Sequence, residues 1–189
     1  MISGRQPDPG IRLIRAAVEG DHQAMKSLYE AHIGYLTAVC SRYIADDEDV
    51  RDILQESFVR IFGSLDRFRY KGKGSLRAWM TRIVVNDALK FLRDSGRIAT
   101  VELKDTVHDT AEEEETDVGS VPPEEMQRMI RCLPDPYRTV FNLYVFQQMS
   151  HKEIAAALGM APGTSASCLH RAKNMLVKMV NDYKNERNA

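Results

Sequence analysis

Apolar residues recur along most of this chain about every three to four positions, the period of a helix buried on one side. From Asp21 to Tyr43 the stripe is Met25, Leu28, Tyr29, Leu36, Val39 and Cys40, behind a capping aspartate. A second stripe, Val50, Ile53, Leu54, Phe58, Ile61 and Phe62, predicts a helix from about Asp46 to Ser64. Asp66 to Gly74 reads as a basic loop ending in Lys71-Gly72-Lys73-Gly74, and a third helix is predicted from Ser75 to about Arg93. Strand-like alternation is weak throughout.

Towards the C-terminus the punctuation is sharper. Asp135 followed by Pro136 reads as an N-cap with proline at the first helical position. Ser150-His151-Lys152-Glu153 has the form of a capping box, Gly159 ends a short helix, and Pro162-Gly163-Thr164 opens a long one. Helix, short helix, tight turn and long helix in that order predict a helix-turn-helix.

Between these blocks the periodicity stops. Val101 to Pro123 contains Glu112-Glu113-Glu114-Glu115, then Val121-Pro122-Pro123, with too few apolar residues to build a core. It predicts a flexible acidic linker. The fold expectation is all-α: one small helical domain over residues 10–97, a linker over 98–123, and a second helical domain over 124–186.

The net charge of −1 hides this division. Residues 1–100 carry 16 Lys/Arg against 13 Asp/Glu, residues 101–123 carry 1 against 8, and residues 124–189 carry 9 against 6. Two mildly basic blocks flank an acidic connector, an asymmetry that points to partners. Cys40, Cys132 and Cys168 are far apart and form no C-x-x-C pair, which fits reduced thiols in a cytoplasmic protein. The five histidines are scattered too, so neither a metal nor a cofactor is expected. No signal-peptide or membrane-spanning run is visible, so no membrane insertion is expected.

Two helices carry the candidate chemistry. On Ser75–Arg93 the residues Leu76, Met80, Ile83, Val84 and Phe91 share an apolar arc. Trp79, Arg82, Asn86, Lys90 and Arg93 fill an adjoining sector. The loop before it adds Arg67, Phe68, Arg69, Tyr70, Lys71 and Lys73. Cations interleaved with aromatics suit an unstacked single strand; the plainer alternative is a solvated face with Trp79 half in the core. Asp87 falls inside the apolar arc, where it would cap or orient a neighbour. On the last helix Ser165, Leu169, Ala172, Leu176 and Met179 point to the core, while Thr164, Ser167, Cys168, Arg171 and Lys178 cluster elsewhere. From Met160 to Val180 there is no acid, which favours DNA over a protein partner.

The helix at Asp46–Ser64 has the opposite character. Asp46, Asp47, Glu48, Asp49, Asp52 and Glu56 stand against Arg51. The first four are explained by the helix macrodipole; Asp52, Gln55, Glu56 and Val59 lie further in and form a candidate docking face for a basic protein surface.

With those segments in view, the chain resembles the extracytoplasmic-function group of sigma-70 factors. Asp52-Ile53-Leu54-Gln55-Glu56-Ser57-Phe58 is similar to the family's D-L-V-Q-E-x-F. Ser75-Leu76-Arg77-Ala78-Trp79-Met80-Thr81-Arg82-Ile83-Val84-Val85-Asn86 is similar to F-R-x-W-L-x-R-I-x-x-N. Leu133-Pro134 through Arg138, Val140 and Phe141, then Ser150 through Glu153-Ile154-Ala155, then Gly163-Thr164 and Leu169-His170-Arg171-Ala172, follow the family's C-terminal pattern in order.

The resemblance implies a factor that binds core RNA polymerase and promoter DNA and starts transcription of a specific regulon. It implies a polymerase-binding face at Asp49, Asp52, Gln55, Glu56 and Val59. It implies −10 element contacts at Arg69, Tyr70, Lys71, Trp79, Arg82, Asn86, Lys90 and Arg93. It implies −35 element contacts at Thr164, Ser165, Ser167, Cys168, His170, Arg171 and Lys173. An anti-sigma factor is the implied inhibitor, and the free chain is expected to be a monomer. Ala166 and Cys168 depart from the family, which is often basic or amide-bearing there, so the −35 preference is expected to differ. An ordinary helix-turn-helix regulator would explain residues 124–189 but leave the first domain without a role. An adaptor would waste the acid-free final helix. A nuclease or other enzyme lacks paired carboxylates or a nucleophile with its base.

Overall fold

The computed structural model describes residues 9–98 and 121–188. Among them the order is α1 (Pro9–Val18), α2 (His22–Cys40), α3 (Asp47–Ser64), a 3-10 turn at Leu65–Arg67, α4 (Ser75–Asp94), α5 (Pro123–Arg131), α6 (Asp135–Val145), α7 (His151–Leu158) and α8 (Pro162–Asn188). The described residues form no strand. The chain divides into two compact units, Met1–Ser41 with Asp46–Ala88, and Arg42–Ala45 with Leu89–Ala189. The acidic-linker expectation falls mainly on residues 99–120, outside the described residues.

In the first unit the caps lie where the residue types put them. Asp21 accepts from the amides of Gln23 (2.8 Å) and Ala24 (3.1 Å) to start α2. Asp46 accepts from Glu48 (2.8 Å) and Asp49 (3.0 Å) to start α3. Asp47, Glu48 and Asp49 then occupy the first turn, where the helix dipole favours negative charge. The loop into α4 needs its glycines: Gly72 and Gly74 have φ of +114° and +88°, strained for any side chain. Ser75 Oγ donates to the Gly72 carbonyl (2.7 Å) and closes that loop.

The helix α1 was not evident in the sequence pattern. It buries Ile14 and Ala17 against Ala24, Leu28 and Leu65, and Phe68, Tyr70, Leu76 and Trp79 pack around that cluster. The deeper positions of α2, α3 and α4 include Leu36, Val39, Ile61, Met80 and Val84 of the predicted stripes, while Tyr29 is exposed and Ala88, outside the predicted arc, is fully buried.

In the second unit Val121 joins Met129, Ile130, Leu133, Ala172, Leu176 and Val180 in one core, although the sequence grouped it with the linker. The capping box at Ser150 is present in both directions, and Gly159 caps α7 at φ +69°. The reading of Asp135 as an N-cap is corrected. Pro134 holds that position and Asp135 is the first helical residue. The Asp135 carboxylate is drawn instead to Arg138, a buried guanidinium that also donates to the carbonyls of Leu133 (2.8 Å) and Arg131 (3.1 Å). Burial pushes the Arg138 pKa down and Asp135 holds it up.

Candidate nucleic-acid interface

The α3 surface brings most of one predicted set together. Asp52, Gln55, Glu56 and Val59 line one groove, with Arg60 as a fifth member. Val59 is 70% exposed, an unusual position for a β-branched apolar side chain on a solvated helix. Asp49 is half-buried in the first turn and outside that groove. Arg60 was missed by the sequence reading. Its signal was present as an i,i+4 partner of Glu56, 3.4 Å away.

On α4 the polar sector emerges largely as drawn. Arg82, Asn86, Lys90 and Arg93 are exposed, and so are Arg69 and Lys71 in the loop before it. Trp79 and Tyr70 are only partly so. Both pack on the α1 cluster, and the Trp79 ring lies 5.2 Å from that of Phe68. The half-core alternative for Trp79 therefore describes its setting, and its free edge is smaller than a full stacking platform.

Asp87 gains a setting as well. Its carboxylate accepts from the buried Ser57 hydroxyl of α3 (2.7 Å) and is paired with Arg60. A buried carboxylate needs such donors to remain charged.

On α8 the predicted set separates. His170 and Lys173 are exposed, and Thr164, Ser167 and Arg171 are partly exposed. Arg171 donates to the Tyr137 hydroxyl (3.1 Å). Ser165 and Cys168 are 0% and 1% exposed: Ser165 lies on the core side that its angle gave it, not on the DNA face that the resemblance implied, and the outer placement of Cys168 is corrected. Ser165 faces α7, with its hydroxyl 3.0 Å from His151 Nδ1, and the His151 ring stacks on Tyr144 (5.0 Å). The Cys168 thiol is pushed up by burial, only partly offset by Arg171, which makes it a poor thiolate.

Among the described residues, no group of three or more His, Cys, Asp or Glu is placed to hold a metal ion, and no helix is long and apolar enough to cross a membrane. Exposed cations on α4 and α8, with an amide among those on α4, can neutralise phosphates and meet base edges. The α3 groove offers acids and one apolar knob to a basic surface.

Residues 28–98 match the model of Sigma-70 region 2, and residues 124–176 match that of Sigma-70 region 4. The chain is 27% identical over 177 residues to an ECF RNA polymerase sigma-E factor of Haemophilus influenzae, covering 87% of this chain and 91% of that protein. It is 29% identical over 175 residues to an ECF RNA polymerase sigma-E factor of Salmonella typhimurium, covering 87% and 90%. Two solved structures are similar at low TM-scores. CnrH in complex with the cytosolic domain of CnrY gives 0.44 at 26% identity, covering 90% of this chain and 96% of that one. The sigma factor RpoE in complex with the anti-sigma factor NepR from Bartonella quintana gives 0.47 at 21% identity, covering 82% and 96%.

Proposed function

This chain belongs to the extracytoplasmic-function group of sigma-70 factors, and from that membership we propose a division of labour among its surfaces. It is a sigma factor: it binds core RNA polymerase, recognises promoter elements and starts transcription of a regulon. In the proposal the α3 groove at Asp52, Gln55, Glu56 and Val59 docks on polymerase. The α4 face, with Arg69, Lys71, Arg82, Asn86, Lys90 and Arg93, holds the opened −10 strand. The exposed members of the α8 set, Thr164, Ser167, His170, Arg171 and Lys173, meet the −35 duplex. The protein acts by binding rather than by catalysis, in the cytoplasm, as a monomer until it meets polymerase or an anti-sigma factor. Exposed apolar side chains such as Val59 in the first unit and Phe146 in the second suit such an inhibitor's grip.

The observation that carries the proposal is the groove. Acids and an exposed Val59 stand on one helix face, and the exposed amide and cations stand on the next helix. Charge reversal by Glu56→Arg is expected to weaken binding to core polymerase by about tenfold or more, because like charges then meet across the interface. A fluorescence titration of labelled full chain with core polymerase measures it. Unchanged affinity for both Glu56→Arg and Val59→Asp would remove the groove from the docking surface.

A further inference from the structure

Asp87 sits where an acid is costly. It lies in the apolar arc of α4, and its side chain is 9% exposed. A carboxylate so placed is retained only if donors replace the water it has lost. Two donors come from one neighbouring helix. The Ser57 hydroxyl, itself fully buried, donates at 2.7 Å, and the Arg60 guanidinium pairs with the other carboxylate oxygen. Arg60 in turn reaches Glu56 and lines the groove with Asp52, Gln55 and Val59. The charge is also felt from α2: the Cys40 thiol is pushed up to about 12 by burial first and Asp87 second.

The neighbour of Asp87 in sequence is Asn86, which is exposed. Successive helical residues are about 100° apart, so fixing one side chain fixes the direction of the next. An apolar stripe by itself tolerates small rotations and slides. A carboxylate with two donors at set positions does not, because either motion leaves a buried charge short of a partner.

We propose that Asp87 is a positioning residue for promoter opening: through Ser57 and Arg60 it locks the rotation of α4 on α3, which aims Asn86 at the unpaired base and ties that aim to the polymerase-docking groove. The inference rests on the role given above to Asn86. It gives Ser57 and Asp87 a joint purpose, although neither is among the residues the family pattern specifies.

The test is a double-mutant cycle in holoenzyme reconstituted from the full chain and core polymerase. The template is a duplex promoter identified by mapping transcript starts that depend on this chain. Opening is followed by fluorescence of a base analogue in the −10 element, core affinity is titrated in parallel, and thermal melting reports folding. Asp87→Asn keeps the shape and an acceptor for Ser57 but removes the charge. It is expected to slow opening about tenfold with core affinity within about twofold. On an Asn86→Ala background it should add less than about twofold, because the residue it positions is gone. Arg60→Gln, a substitution at a solvent-facing partner, should slow opening in the same direction and add little to Asp87→Asn. A template already unpaired at the −10 element should restore most of the Asp87→Asn rate.

The inference is overturned if Asp87→Asn opens the promoter like the wild type. It is equally overturned if the Asn86 and Asp87 effects multiply, or if the Asp87→Asn loss follows the fraction unfolded. If instead Asn86→Ala opens normally, the role of Asn86 itself has failed, and the inference fails with it by a separate and recognisable outcome.

Discussion

Along α4 the cations and the amide picked out from residue type are exposed at Arg82, Asn86, Lys90 and Arg93, with Arg93 also donating to the Ala157 carbonyl. Along the first turns of α8 Cys168, which its angle placed on the outer face, is buried; Ser165, which its angle placed in the core, is buried too, although the resemblance gave it to DNA. The difference lies in what surrounds each helix. The chosen sector of α4 adjoins its buried arc without entering it. The helix α8 packs against both α6 and α7, and Ser165 at its start meets His151 of α7. The helical period gives each residue its angle, but the neighbouring helices decide which angles are covered.

The largest expected effect concerns the frame that holds α8. Arg138 is 2% exposed, and Arg138→Leu would strand the carbonyls of Arg131 and Leu133 and leave Asp135 without its cation. A loss of about 3 kcal/mol is expected, read as a lower urea midpoint at constant slope. A variant as stable as the wild type would mean that the guanidinium is not what holds the start of α6.

The next effects separate the two DNA surfaces. Asn86→Ala should slow promoter opening about tenfold while leaving affinity for an isolated −35 duplex within about twofold. Arg171→Ala should do the reverse, lowering −35 duplex affinity by roughly fivefold. Equal losses of duplex affinity from both substitutions would merge the surfaces that the comparison separates.

Cys168→Ser tests inward against outward placement. A hydroxyl in place of a buried thiol is expected to cost about 1 kcal/mol of stability and to leave promoter preference unchanged. A changed −35 preference at unchanged stability would return Cys168 to the DNA surface.

The smallest effect is at the α7 cap. Ser150→Ala should cost about 1 kcal/mol in thermal melts. Glu153 is held below the usual carboxylate range by hydrogen bonds from Ser150. A depressed carboxylate stabilises the fold above its unfolded value, and that contribution disappears as pH falls through its folded one. The cap is therefore complete at neutral pH and weakens only in acid, and Glu153→Gln should flatten that acid limb.

Much of this was legible in the sequence because it rests on short-range rules. Asp21, Asp46, Ser150 and Gly159 cap helices by local hydrogen bonding, and the stripes of α2, α3 and α4 follow the helical period. The α3 groove was legible because Asp52, Gln55, Glu56 and Val59 repeat on one helix face. What the sequence hid depends on distant partners. The short helix α1 has no long stripe, and its burial depends on residues as far away as Trp79. Asp135 looked like a cap because its partner Arg138, only three residues on, is held in place by a distant group, the Tyr43 carbonyl 95 residues earlier. Asp87 looked misplaced because its partners, Ser57 and Arg60, lie 30 and 27 residues earlier.

Reconstituted transcription reads initiation by this chain itself. The purified chain is added to core polymerase on a template carrying its mapped promoter, and run-off product is counted. A discrete transcript that requires both the chain and core is expected, and DNA binding by the chain alone should be weak beside that of the holoenzyme. Tight, specific DNA binding without core, and no initiation with it, would instead make the chain an ordinary helix-turn-helix regulator.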